Sequence, residues 1–150
     1  MKKTLFLILF SLLILTSCSS NKEVQKPVQA VSAIDQYKIN AAITAAEVWL
    51  DLSDQKLYDQ CYDVSATLLQ NTVTKESLSE SLKNAREPLG ALSKRTLIAA
   101  EYFEVLPGAP SGEYVVIQYS SYSESNSNVI ETITPMLNDG VWKVSGYYIR

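Results

Sequence analysis

The hydrophobic pattern of the sequence changes its period once, at Gly90. Before this residue, apolar side chains recur every three or four positions, the spacing of helices that bury one face. After it, runs rich in Val, Ile, Tyr and Thr are separated by Pro, Gly, Asn and Asp, which indicates strands joined by turns. Because the helices come first, the pattern predicts an α+β domain with its helices on one face of an antiparallel sheet.

Three helices are predicted before Gly90. The first is capped by Ser32, the second begins near Ser53 or Asp54, and the third is capped by Thr74 and ends at Pro88. The first helix carries an apolar stripe at Ile39, Ala42, Ile43, Ala46, Trp49 and Leu50. The second carries one at Leu57, Cys61, Val64 and Leu68.

Four strands are predicted after Gly90, and we expect them to form a meander in the order 1-2-3-4. The strands are Leu92–Leu106, Glu113–Ser121, Val129–Leu137 and Val141–Ile149. The first has apolar residues on both sides of its alternation, so we expect it to be well covered.

The last hairpin decides the position of Glu131. If Asn138–Gly140 is a three-residue loop, Glu131 lies beside Lys143, Ser145 and Tyr147 on the polar face of the sheet. A two-residue Asp-Gly turn shifts the pairing by one and places Glu131 on the apolar face. We favour the three-residue loop because it separates charge from the core.

The first 17 residues have the features of a lipoprotein signal peptide. Two lysines precede an apolar run of eleven residues, Leu5–Leu15, which is too short to cross a membrane as a helix of ~20 residues. The sequence Leu-Thr-Ser-Cys at 15–18 has the form of a lipobox. It predicts cleavage before Cys18 and lipid attachment to this cysteine.

The predicted organisation follows from this processing site. Residues 1–17 are the signal peptide, residues 18–31 are the lipidated cysteine and a flexible tether, and residues 32–150 are a single α+β domain. Two or three acyl chains hold a protein firmly on a membrane. We therefore expect a protein anchored in the bacterial envelope, on the periplasmic face of the outer membrane if the organism has one.

Composition argues against several kinds of chemistry. The chain contains no histidine, the commonest general base and metal ligand. Cys61 is the only cysteine besides Cys18, and its place on an apolar helical stripe indicates a buried small hydrophobe rather than a redox centre. Without residues 1–17, 11 basic side chains face 16 acidic ones, so nucleic acid is a poor partner. We expect no cofactor and no metal.

Four motifs in the second half resemble the bacterial family known as domain of unknown function 4019. They are REPLG at Arg86–Gly90, LPGAPSGEYVVIQY at Leu106–Tyr119, ETITPML at Glu131–Leu137 and GVWKVSGYYI at Gly140–Ile149. The resemblance covers about residues 40–150. It implies a cone-shaped α+β domain, similar to cystatin-like or nuclear transport factor 2-like folds, and it implies no particular activity.

The candidate ligand-binding residues are the charged side chains in otherwise apolar motifs. These are Arg86, Arg95 and Glu131, with Lys143 added by the favoured hairpin register. Their structural interpretation is an ion pair where helices meet the sheet. For function, we expect a noncatalytic module that binds an envelope protein, a peptide or a small ligand. The alternative is an isomerase- or dehydratase-like enzyme with a glutamate as acid and base.

Overall fold

The structure is a computed structural model that describes residues 32–124 and 128–150. The predicted signal peptide, Cys18 and the tether up to residue 31 therefore lie outside the described residues. So do residues 125–127 in the loop between the second and third strands.

Helices precede strands, as the sequence predicts. The elements are α1 (Ala33–Asp54), α2 (Tyr58–Val64), α3 (Thr67–Thr72), α4 (Lys75–Arg86), a 3-10 turn (Glu87–Leu89), β1 (Ser93–Phe103), β2 (Tyr114–Tyr122), β3 (Asn128–Asn138) and β4 (Val141–Ile149). Both predicted N-caps are confirmed. The Ser32 hydroxyl accepts the amide hydrogen of Asp35 at 3.0 Å, and that of Thr74 accepts the amide hydrogen of Ser77 at 3.2 Å.

The second predicted helix is wrong in both its start and its continuity. α1 runs on to Asp54, and the apolar stripe that follows is divided between α2 and α3. The division lies at Ser65 and Ala66, whose backbones are extended. The amide of Ala66 donates to the carbonyl of Val144 at 2.8 Å, so a contact with β4 replaces a helical hydrogen bond. That contact joins residues distant in sequence, and helical periodicity carries no signal of it.

The sheet is antiparallel in the order β1-β2-β3-β4, which confirms the predicted meander. The expectation that β1 is well covered is wrong. Among the described residues β1 pairs only with β2, and no residue of β1 is fully buried. Leu97 and Ile98 in its middle are about half exposed. An edge strand has a neighbouring strand on one side instead of two. Apolar side chains on both faces of β1 therefore remain partly exposed to solvent.

The favoured three-residue hairpin is also wrong. Asn138 pairs with Val141, so the turn has two residues, Asp139 and Gly140, both with positive φ. The register then shifts by one at Thr134 and Pro135, where β4 carries a bulge. Proline fits in this central strand because it lies at the irregularity.

The two-residue turn and the bulge place Glu131 on the buried face. Alternate residues of β2 and β3, including Ile117 and Ile133, are fully buried and share a core with Trp49 of α1. Glu131 belongs to this alternation. Cys61 belongs to the same core, as predicted, and burial raises the pKa of its thiol to about 12. Within the described residues, no helix is long and apolar enough to span a membrane.

Candidate functional site

Glu131 is fully buried, yet both of its carboxylate oxygens are hydrogen-bonded. Oε1 accepts from Arg86 Nη1 at 2.9 Å and from the Tyr147 hydroxyl at 2.8 Å. Oε2 accepts from Arg95 Nε at 2.9 Å and from the Ser121 hydroxyl at 2.9 Å. A fifth, longer bond of 3.3 Å joins Arg95 Nη2 to Oε1. A carboxylate has about four lone-pair positions, so its capacity is filled by these protein groups.

Asp54 completes the charge balance of the site. It accepts two hydrogen bonds from the Arg95 guanidinium, at 2.8 and 3.0 Å, and also pairs with Arg86 Nη2. Two arginines thus face two carboxylates. We call the set formed by Asp54, Arg86, Arg95, Ser121, Glu131 and Tyr147 the Glu131 cluster.

Several local features bring these side chains together. Asp54 is the last residue of α1 and Arg86 the last of α4, so two helix ends meet the sheet here. Arg95 follows Lys94, which has a positive φ, in an irregular segment of β1 where the register with β2 shifts. Such bulges redirect side chains. On β4, the bulge allows Tyr147 to pair with Ile133 beside Glu131.

Electrostatics favour the ionised forms of Glu131, Arg86 and Arg95. Burial alone would raise the pKa of Glu131, but Arg95, Tyr147 and Ser121 outweigh it and hold the pKa below its usual value. Burial would likewise lower the pKa of Arg86, but Tyr147, Glu131 and Asp54 raise it instead. Burial, followed by the charge of Glu131, raises the pKa of Tyr147. A general acid or base works best when its pKa lies near the working pH, and Glu131 is shifted away from neutrality.

The structure brings three of the four candidate residues together. Arg86, Arg95 and Glu131 form the ion pairs that the structural interpretation expects. Lys143 lies elsewhere, paired across the sheet with Met136, so the expectation that it lies beside Glu131 is wrong. The cause is the hairpin register described above.

Sequence reasoning missed Asp54, Tyr147 and Ser121 as members of the cluster. Asp54 carried no usable signal, because the sequence places it at the start of the second predicted helix, where a carboxylate is favourable; in the structure it lies at the end of α1, beside the negative end of the helix dipole. Its position there is compensated by two guanidinium groups. The sequence predicts Tyr147 beside Glu131, but it does not predict the hydrogen bond that the Tyr147 hydroxyl donates to the carboxylate.

Apart from the Glu131 cluster, the structure contains an open apolar groove of about 530 Å³ between α1 and the β3–β4 hairpin. We call it the α1 groove. Its apolar walls are Ile34, Tyr37, Ala41, Ala45 and Val48 on α1, and Leu137, Val141 and Trp142 on the hairpin. Four of these side chains are strongly exposed: Ile34 at 69%, Tyr37 at 75%, Val48 at 55% and Val141 at 57%.

The groove is continuous with a second depression along the same hairpin. This depression, of about 380 Å³, shares Ala45, Val48, Val141 and Trp142 with the groove and extends to Val64 and Lys143. Single exposed apolar residues are common on monomeric proteins, whereas here several of them lie together along one groove.

A family model described as "Protein of unknown function (DUF4019)" matches residues 45–147. The chain belongs to this family. A comparison with curated proteins gave no match.

In this DUF4019 protein, all six residues of the Glu131 cluster lie within the matched range. The α1 groove extends beyond it, because Ile34 and Tyr37 precede residue 45. The described residues, 32–124 and 128–150, contain no group of three or more cysteine, aspartate or glutamate side chains arranged to hold a metal ion.

Proposed function

We propose that this protein is a lipid-anchored interaction module of the bacterial envelope, and that its α1 groove receives an apolar segment of a partner protein. The observation that carries this proposal is the exposed apolar stripe on α1, opposite Val141 and Trp142. The lipobox at residues 15–18 supports the anchor. The cystatin-like or nuclear transport factor 2-like assignment belongs to the same proposal, supported by the order of helices before a four-stranded antiparallel sheet.

The shape of the groove favours a helical segment as its occupant. From Ile34 to Val48 the stripe advances fourteen residues along α1, a length of about 21 Å at 1.5 Å per residue. A partner helix of about four turns has this length, and amphipathic helices commonly bind in apolar grooves through residues at such spacing.

The predicted tether makes even a weak interface useful. As the flexible coil that the sequence predicts, the thirteen residues after Cys18 would span on the order of 20 Å. Partner and module on the same membrane therefore meet at high effective concentration.

The alternative enzyme with a glutamate acid and base is less favoured by the geometry. Glu131 is buried, paired with two arginines and saturated with hydrogen bonds, so a substrate would have to displace protein donors to reach it.

A photo-crosslinking amino acid in place of Val48, in the full-length protein in cells, tests the groove. We expect one adduct with an envelope protein, mapped by mass spectrometry to an amphipathic segment of that protein. The matched control is the same crosslinker in place of Ile98, which is similarly exposed but lies on β1. Val141→Asp in the Val48 crosslinking variant should abolish the adduct.

Other adducts would overturn the assignment. A product at twice the mass of the chain would identify a second copy as the occupant, and a lipid adduct would identify the bilayer. An internal crosslink to residues 19–31 would identify the tether. The anchor has its own test: intact mass of the membrane-extracted protein should show an acylated chain that starts at Cys18, and Cys18→Ser should remove the acyl mass.

A further inference from the structure

A small polar pocket of about 240 Å³ lies at the other end of α1 from the start of the groove. We call it the Ser53 pocket. The lining residues used below are Ser53, Lys56, Tyr58, Glu87, Gly90 and Glu124. The pocket is separate from the α1 groove, since the two share no lining residue.

Ser53 has a buried hydroxyl without a partner. Its side chain is 1% exposed, and its oxygen makes no hydrogen bond within the part of the chain that the structure describes. A serine inside a helix commonly donates to the carbonyl four residues earlier, here that of Trp49. That carbonyl instead faces the thiol of Cys61 at 3.7 Å. Most buried polar groups in folded proteins are hydrogen-bonded, so the Ser53 hydroxyl is a candidate contact for a bound molecule.

Gly90 makes room for the carboxylate of Glu124 in the wall of the pocket. Gly90 has a φ of +70°, and the amide of Glu124 donates to the carbonyl of Leu89 at 3.2 Å. A Cβ at position 90 would overlap the carboxylate of Glu124. Glycine at this position therefore permits Glu124 to lie directly on the turn beside the pocket.

The charges that remain for a ligand are mainly negative. Asp54 and Arg86 also line the pocket but are engaged in the Glu131 cluster. This leaves the carboxylates of Glu87 and Glu124 against the single ammonium of Lys56. Tyr58, which is 8% exposed, contributes an aromatic wall, a surface that also suits a cation.

We propose that the Ser53 pocket binds a small organic amine that carries a second polar group, such as a hydroxyl. The carboxylates of Glu87 and Glu124 bind the ammonium, and the second group forms a hydrogen bond with the Ser53 hydroxyl. This site is independent of the partner proposed for the α1 groove, and either proposal can fail alone.

Ligand-detected NMR on the full-length protein in detergent tests this site. The probes are ethanolamine and glucosamine, and their neutral counterparts, ethylene glycol and glucose, are the ligand controls. We expect saturable binding of the amines, weakened by added salt because exposed charges are screened. Glu124→Gln should weaken it about tenfold, since a hydrogen bond to a charged group is lost.

Ser53→Ala is the decisive variant. The hydroxyl has no partner among the described residues, so its removal should leave the melting temperature unchanged or slightly higher while weakening amine binding about 3- to 10-fold. The matched control is Tyr119→Phe, which removes a buried hydroxyl that likewise has no partner in the described part of the chain and does not line the pocket. Equal binding by Ser53→Ala and the unchanged protein would overturn the proposal. So would the absence of saturable binding by both amines, or equal binding of the neutral counterparts.

Discussion

Replacing Glu131 with glutamine tests whether the Glu131 cluster stabilises the fold. The substitution keeps the shape of the side chain and removes its charge. On the polar face, where the favoured hairpin register places Glu131, this substitution would leave folding intact. The complete burial of Glu131 between two arginines reverses that expectation.

The expected cost follows from the charges left behind. With glutamine at 131, Asp54 alone faces Arg86 and Arg95, and Arg86 is 6% exposed. Removing one partner of a buried ion pair lowers the free energy of unfolding by about 3–5 kcal/mol, because the other charge stays buried without compensation. Asp54 and Arg95 are partly exposed, so solvent screens their end of the cluster. We therefore expect a loss near the lower bound, about 3 kcal/mol at pH 7, which corresponds to a fall in melting temperature of about 10 °C for a domain of this size.

Urea unfolding followed by circular dichroism measures this loss, and Tyr147→Phe is the matched control. Phenylalanine keeps every charge and removes only the hydroxyl that joins Arg86 to Glu131, so we expect a loss of about 1 kcal/mol. If Glu131→Gln costs no more than Tyr147→Phe, the charge of Glu131 does not stabilise the fold and the reasoning is refuted.

The pH dependence gives a second check of the same reasoning. The folded pKa of Glu131 lies below its ordinary value of 4.5, so the stability that it contributes is present above about pH 4.5. It is lost as the pH falls through the folded pKa. The difference in unfolding free energy between the unchanged protein and Glu131→Gln should therefore shrink in acid. A difference that stays constant from neutral pH to about pH 3 would contradict the assigned pKa direction.

Three further predictions concern the core and the hairpin. Trp49→Phe removes the indole donor to the Cys61 carbonyl (3.1 Å) and the Ser65 hydroxyl (3.0 Å), and should cost about 2 kcal/mol in urea unfolding. Cys61 should resist a thiol reagent in the native protein and react once unfolded, as read by mass; rapid native labelling would contradict its burial. Gly140→Ala forces alanine to a φ of +79° and should cost about 1 kcal/mol by the same unfolding assay.

The elements that the sequence predicted correctly depend on local signals. The caps at Ser32 and Thr74 are read from a hydroxyl and the amide three residues later. The strand β4 has the predicted bounds, Val141–Ile149, because turn residues flank a run rich in β-branched and aromatic side chains.

Two of the errors come from features that a local pattern does not carry, one a contact between distant residues and the other a bulge. α2 and α3 separate where Ala66 bonds to Val144, which is 78 positions away in the chain. The place of Tyr147 beside Glu131 depends on the bulge in β4, which lets Val144 and Tyr147, three residues apart, both join the core. In a regular strand, residues three positions apart lie on opposite faces, so a pattern of strict alternation does not predict that both contact the core.

Three of the four candidate residues, and their interpretation as ion pairs where helices meet the sheet, were predicted correctly. Arg86, Arg95 and Glu131 stood out because they interrupt apolar motifs, and the structure brings them together. The sequence could not show that Asp54, at the end of α1, balances their charge. With this fourth charge, two guanidinium groups are balanced by two carboxylates. Arg86, Arg95 and Glu131 therefore support a structural role more than a binding one.

The α1 groove reflects a second pattern in the same helix. The stripe that includes Ile39, Ala46 and Trp49 packs on the sheet, whereas Tyr37 and Val48 belong to a stripe roughly a third of a turn away. Both stripes have helical spacing, but only the first is covered within the described residues. A helix that packs on one surface needs one stripe, and polar residues elsewhere improve its solubility. The second stripe therefore adds nothing to the core of the domain, and it is most simply explained by an occupant from outside it.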